Sequence, residues 1–238
     1  MKTARLLSVL LVCFGLTVVM PSFSSETVSC YAQVKLTQDK NKIEWWIAEI
    51  KDPLNAQRAQ DVRDFAEKFS EGENITKSPY RELVVNTYID LLFNDPNIKV
   101  RENAATGLGF LGDNKAAPAL KKALDDKDTE IRIEAAGALV RLGFGKDEKV
   151  FSTLEYFVRG KDVEKWNIRI TYLTTQTTEE REKDKNNSIL GLRQQAMWYI
   201  ADINIPKTKS LLEDMTKDPG ENVRKWAEKL LKDKFIKK

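Results

Sequence analysis

Residues 100–111 read VRENAATGLGFL and residues 131–142 read IRIEAAGALVRL. A chain that states one pattern at two places must find a fold in which both copies fit the same environment, and that requirement narrows the choice more than any motif here. Val100-Arg101 is followed by Ala104 and Leu108, and Ile131-Arg132 by Ala135 and Leu139. Leu192-Arg193 is followed by Ala196 and Ile200, and Val223-Arg224 by Ala227 and Leu231. The apolar members recur at helical spacing, so each copy lays one stripe along a helix. An acidic residue stands five positions ahead of three copies, as Asp95, Asp126 and Asp218, and Pro96 and Pro219 follow two of them.

Each stripe is followed by a second apolar stretch: Ala117 to Leu124, Val150 to Phe157, and Leu211 to Met215. Gly112 and Gly143 lie where a helix would end and a left-handed residue is useful. Asp95, Asn97, Asp126 and Asp128 are all placed to cap the helix that follows, and the sequence does not choose between them. The unit is therefore read as a helix, a tight turn and a second helix. One such hairpin cannot bury its own stripe, whereas stacked copies can. The expected fold is all-α, a solenoid of about five helical hairpins. Such a stack is curved, and its concave face is expected to carry the second helices, with polar positions at 115–125, 146–159 and 207–217.

The motif resembles the HEAT-repeat family, in particular its short class named after phycobilisome lyases. That pattern is an acidic-Pro start, then V-R-x-x-A-x-x-A-L-G, then a helix opening A-x-P-x-L. It appears here as NDPNIKVRENAATGLGFLGDNKAAPALKKAL, DDKDTEIRIEAAGALVRLGF and KDPGENVRKWAEKLL, and the resemblance covers residues 95–159 and 188–235. The resemblance implies an ARM/HEAT superhelix. It also implies a structural ladder in which the arginine after the valine pairs with the acidic position of a neighbouring repeat, here among Asp95, Arg101, Asp126, Arg132, Asp218 and Arg224. The class name carries a second implication, a chromophore transfer of the bilin-lyase kind.

The margins depart from the pattern. Asp52-Pro53 with Arg58, Val62, Phe65 and Phe69, then Pro79 to Phe93, read as a degenerate first unit. Ile43, Trp46, Ile47 and Ile50 make one stripe on a preceding cap helix. Residues 160–187 break the period and are expected to be an insertion, a short hairpin from the alternating NIRITYL and then a mobile loop through TTQTTEEREKDKNNS. The solenoid is assigned to 41–238, after a flexible segment at 25–40.

The first 24 residues read as a secretory leader: Lys2 and Arg5, the uncharged apolar run Leu6–Met20, Pro21, then small residues at Ser22 and Ser24. The expected location is thus outside the cytoplasm, periplasmic or extracellular, with no integral membrane segment after cleavage. Of 39 Lys and Arg, those two leave with the leader, so 37 remain against 36 acidic residues. That balance lacks the basic footprint of a nucleic-acid binder. Of the two cysteines, Cys13 lies in the leader, and Cys30 is read as an inert tail thiol or, alternatively, as a lipid anchor.

Nothing in the sequence marks an active site or a cofactor. There is no histidine, which removes the commonest general base and metal ligand. Gly107 to Gly112 fits G-x-G-x-x-G but follows no strand, and Asp126 to Gly137 lacks the glycine and glutamate of a calcium loop. The expected function is a non-catalytic scaffold for a protein partner, with a self-assembling envelope component as an alternative. Trp45 and Trp166 fall off the stripes and are candidate anchors, joined by Tyr172, Lys122 and Arg159. Trp198 and Trp226 fall on or beside stripes and are expected in the core.

Overall fold

A computed structural model describes residues 40–71, 78–170 and 175–236, all within one compact unit spanning 35–238. Among these residues there are ten α-helices and no strand. They are α1 (Lys40–Lys51), α2 (Arg58–Glu71), α3 (Arg81–Asn94), α4 (Ile98–Leu111), α5 (Ala117–Ala123), α6 (Thr129–Arg141), α7 (Glu148–Val158), α8 (Thr178–Ala201), α9 (Pro206–Met215) and α10 (Glu221–Leu231). The leader, Cys30 and Tyr172 lie outside the described residues.

The helix boundaries follow from local chemistry. Asn97 caps α4 by accepting from the Lys99 amide, and Asp147 caps α7 by accepting from the Lys149 amide. Gly112 (φ 63°) and Gly143 (φ 88°) supply the left-handed turns after α4 and α6. Asp95, Asp126 and Asp218 each accept from the backbone amide two residues on, at 2.8–2.9 Å, so the recurring acid builds the turn.

The hairpins are phased differently from the sequence reading. Helices that pack along each other are α1 with α2, α3 with α4, α5 with α6, α7 with α8 and α9 with α10. The helix carrying the repeated stripe is thus the second member of its hairpin in α4, α6, α8 and α10, not the first, and α2, whose Val62, Phe65 and Phe69 are buried, takes the same place beside α1 and is counted with them. The striped helices α2, α4, α6, α8 and α10 pack side by side in that order and form one layer; the other five form the second layer and touch one another little. Small residues make the first layer close: a Cβ on Gly109 of α4 would lie 2.9 Å from the Ala138 Cα of α6.

Arginines tie the turns together. Arg58 reaches Asp95 through two parallel bonds of 2.7 and 3.0 Å, with both side chains almost fully buried. Arg101 reaches Asp128 at 2.9 Å and the Asp95 carbonyl at 2.9 Å, and Arg193 reaches Asp218. The middle rung differs from expectation: Asp126 forms the turn while Asp128 takes the arginine. Arg132 meets no carboxylate among the described residues; it donates to Thr129 Oγ1 and lies over the Phe157 ring. The insertion replaces the short acidic turn that would have followed α7, so the rung has no acid to offer. Arg224, in the last helix, bonds the carbonyls of Asp218 and Pro219.

The insertion is not the loop expected over its second part, and of the expected hairpin only residues 167–170 are described, since 171–173 lie outside the described residues. Residues 167–170 form no strand. The polar run after residue 177 is the first half of α8, opened by a capping box in which Thr177 and Glu180 satisfy each other's amides. Trp166 is buried, 6% exposed, and donates its indole N–H to the Lys161 carbonyl at 2.9 Å. It stands edge-on to Phe157 with centroids 5.1 Å apart, so it pins the insertion to the core and is not an exposed anchor.

Candidate functional site

The striped layer presents a cleft of about 310 Å³ lined by Arg63 of α2, Thr106 of α4, Glu134 and Arg141 of α6, Gln194, Gln195, Trp198 and Tyr199 of α8, and Trp226 of α10. Packed helices lie about 8–10 Å apart, so a flat layer would separate α2 from α10 by roughly 32–40 Å. One small cleft touching all five helices requires the layer to curl around it. The concave side is therefore the striped side, and the expectation that the other helices line it is corrected. The reason is packing: Ala and Gly on the striped helices let that layer contract, and a stack bends toward its tighter layer.

The floor of the cleft is a closed hydrogen-bond network. Glu134 accepts from Thr106 Oγ1 at 2.6 Å, from Tyr199 Oη at 2.8 Å and from Gln195 Nε2. Burial raises the Tyr199 phenol well above its ordinary value near 10, and the neighbouring Glu134 charge pushes the same way. Tyr199 fits because residue 137 has no side chain: a methyl there would overlap the phenol ring. Gly137→Ala is expected to cost about 1–3 kcal/mol through forced displacement of the ring. Urea unfolding of the variant measures it, and an unchanged midpoint would contradict this packing.

The wall is aromatic and cationic. The Arg141 guanidinium lies 4.7 Å from the Phe110 ring centroid, 5.3 Å from Tyr199 and 5.7 Å from Trp198. Its Nη1 is buried with no hydrogen-bond partner among the described residues, and so is the indole Nε1 of Trp226. Trp198 is 43% exposed along this wall. Both tryptophans were expected in the core; Trp198 faces the cleft and Trp226 lines it. The helical wheel holds the missed signal for Trp198, which stands opposite Ala196 and Ile200 on α8.

The sequence candidates are scattered. Trp45 is 45% exposed on α1, edge-on to Trp46, which stacks on Phe65. Lys122 is exposed on α5, 4.8 Å from the Phe93 ring. Arg159, at the end of α7, pairs with Glu155 at 2.9 Å and Asp214 at 3.2 Å, so its charge is met within the protein. None of these lines the cleft. Among the described residues no cluster of His, Cys, Asp and Glu could hold a metal ion, and no helix is long and apolar enough to cross a membrane.

Comparison with known proteins agrees with the architecture. Residues 85–166 match the family model for HEAT repeats. No curated protein matches the sequence. Among solved structures, the complex of CpcE and CpcF of phycocyanin lyase from Nostoc sp. PCC7120 is similar with a TM-score of 0.51 and 19% identity. The match covers 81% of this chain and 65% of that one, so this chain spans less than two thirds of that chain's length. A designed armadillo repeat protein aligns over 79% of this chain and 98% of its own, at 15% identity and a TM-score of 0.34. An engineered protein aligns over 81% and 96%, at 19% identity and a TM-score of 0.37.

Proposed function

We propose that this chain, an all-α solenoid carrying HEAT repeats over residues 85–166, is an exported, non-catalytic scaffold that holds a protein partner on its concave face. The observation that carries this reading is the cleft to which all five striped helices contribute. A concave face to which five successive repeats contribute is of the kind solenoids use to hold partners, and its exposed tryptophan is of the kind that anchors interfaces. Support for a non-catalytic role comes from Glu134. It is the one carboxylate lining the cleft, and its two oxygens already accept from three protein donors, which leaves it poorly placed to move a substrate proton. Export rests on the leader read at residues 1–24.

The test is site-specific photocrosslinking in the source envelope, with benzoylphenylalanine in place of Gln194 in the cleft or of Lys122 on the outer layer. The expected result is one enriched partner protein, captured from position 194 and not from position 122. Capture only from position 122, capture only of a second copy of the chain, or no captured protein at all would each overturn the reading. The second of these would favour a self-assembling envelope component.

A further inference from the structure

We infer that the concave cleft is a carboxylate-reading site, in which Arg141 and Trp226 receive an acidic side chain presented by an extended segment of the partner. This rests on the scaffold reading above and adds the chemistry the partner must carry.

Arg141 differs from most arginines of this protein, and unlike Arg132, which also lacks a carboxylate among the described residues, it lines the cleft. Arg58, Arg81, Arg101, Arg159, Arg169 and Arg193 each meet a carboxylate within 3.2 Å. Arg141 has no ion pair among the described residues and meets three aromatic rings instead. Rings favour a guanidinium over their faces but are only weak acceptors for its N–H groups. Its Nη1 consequently sits buried without an acceptor. Such a group costs free energy in the empty protein and recovers it when an acceptor arrives.

A second donor without a partner lines the same cleft, the indole Nε1 of Trp226. Of the five buried side-chain atoms without a partner among the described residues, Arg81 Nη1, Glu130 Oε2 and Arg132 Nε belong to residues outside the lining, and the two on the lining are both donors, one of them charged, which suits an acceptor ligand. A carboxylate offers two acceptor oxygens and the charge that suits a guanidinium. Glu134 does not fill that role, because Thr106, Gln195 and Tyr199 already donate to it. Arg63 adds a second cation to the lining, so the cleft holds two positive groups and one negative.

Size and walls narrow the ligand further. At about 310 Å³ the cleft lies at the small end of ligand pockets, which run about 300–1,000 Å³. It admits a side chain and its flanking backbone. Trp198, partly exposed beside Arg141, gives the methylene stem of a glutamate an apolar surface to lie on.

The test uses the full chain and two capped peptides, acetyl-Gly-Glu-Gly-amide and its glutamine counterpart, titrated while the tryptophan indole N–H signals are followed by NMR. The Glu peptide is expected to move the Trp226 indole signal downfield and to perturb Trp198, with at least ten-fold weaker binding of the Gln peptide. Binding should weaken as salt is raised. Arg141→Gln should reduce affinity for the Glu peptide at least ten-fold while leaving the weak Gln response as it was. Trp226→Phe, which keeps the ring and removes the donor, should weaken the Glu peptide several-fold and serves where Arg141→Gln perturbs folding. Equal responses to the two peptides, or an unchanged response in both variants, would overturn the inference. Free glutamate binding as well as the capped peptide would reassign the site to a small acid and overturn it too. If position 194 captures a partner whose binding ignores Arg141→Gln, the scaffold reading stands and this inference fails. If the Glu peptide binds as described but no partner is captured, the scaffold reading fails instead.

Discussion

Replacing Asp95 by alanine is expected to lower the unfolding free energy by about 3–5 kcal/mol, the range for removing one partner of a buried ion pair. Arg58 donates to both Asp95 oxygens, and the two side chains are 9% and 4% exposed. Without the carboxylate, the guanidinium of Arg58 stays buried beside a turn that has also lost its organising acceptor, since the same carboxylate holds the Asn97 amide. For a domain of this size the loss corresponds to a fall of roughly 6–20 °C in Tm. The paired change Arg58→Met with Asp95→Leu should recover most of the ion-pair part, because a well-packed apolar pair often equals a buried salt bridge in stability. The turn would still lack its acceptor, so full recovery is not expected. Thermal unfolding of the three variants decides the matter. An Asp95→Ala protein within 1 °C of the wild type would show that the rung adds nothing to stability. Arg132, the rung without an acid, supplies the internal comparison: Arg132→Met is expected to cost far less.

Trp166→Ala is expected to cost about 3–5 kcal/mol, the range for truncating a large buried aromatic. The residue lies in a segment that, by composition, ought to be dispensable. It is nonetheless nearly buried, with its indole bonded to the Lys161 carbonyl and its ring edge-on to Phe157, itself fully buried. Asn167, its neighbour, accepts from the Thr129 amide and donates to Asp128, which ties the segment to the start of α6. Removing the indole should therefore both open a cavity beside Phe157 and free the strap that holds Asp128 in line with Arg101. Urea unfolding should show the loss, and limited proteolysis should cut between residues 160 and 177 far faster than in the wild type. Normal stability with unchanged cleavage would mean that the insertion is not part of the core.

The two cases mark where the sequence was informative. The period near 31, the apolar stripes and the glycines at 112 and 143 are local signals, and local signals are sufficient for helix positions and helix ends. The acids at 95, 126 and 218 were legible as helix-start residues, but whether they capped the helix or built the turn before it was not, and the structure gives them the turn. The start of α8 was also legible, in Thr177 and Glu180, but the polar composition around them masked it.

By itself, then, the sequence determined an all-α repeat, roughly its number of units, and the glycines that end α4 and α6, with candidates but no choice for the residues that begin those helices. What only the tertiary structure decided was the partner of each helix, the side toward which the stack bends and the residues that meet there. A stripe states which residues of a helix are buried together; it does not state against which neighbour. In α4 and α6 burial extends nearly all around the helix, so no polar face remained to point outward. The inner side was set by the difference in spacing between two layers, a quantity that depends on Gly109 meeting Ala138 and Gly137 meeting Tyr199 across separate repeats. Arg141, Trp198 and Trp226 became one site for the same reason: they lie on three helices that only a curved stack brings together.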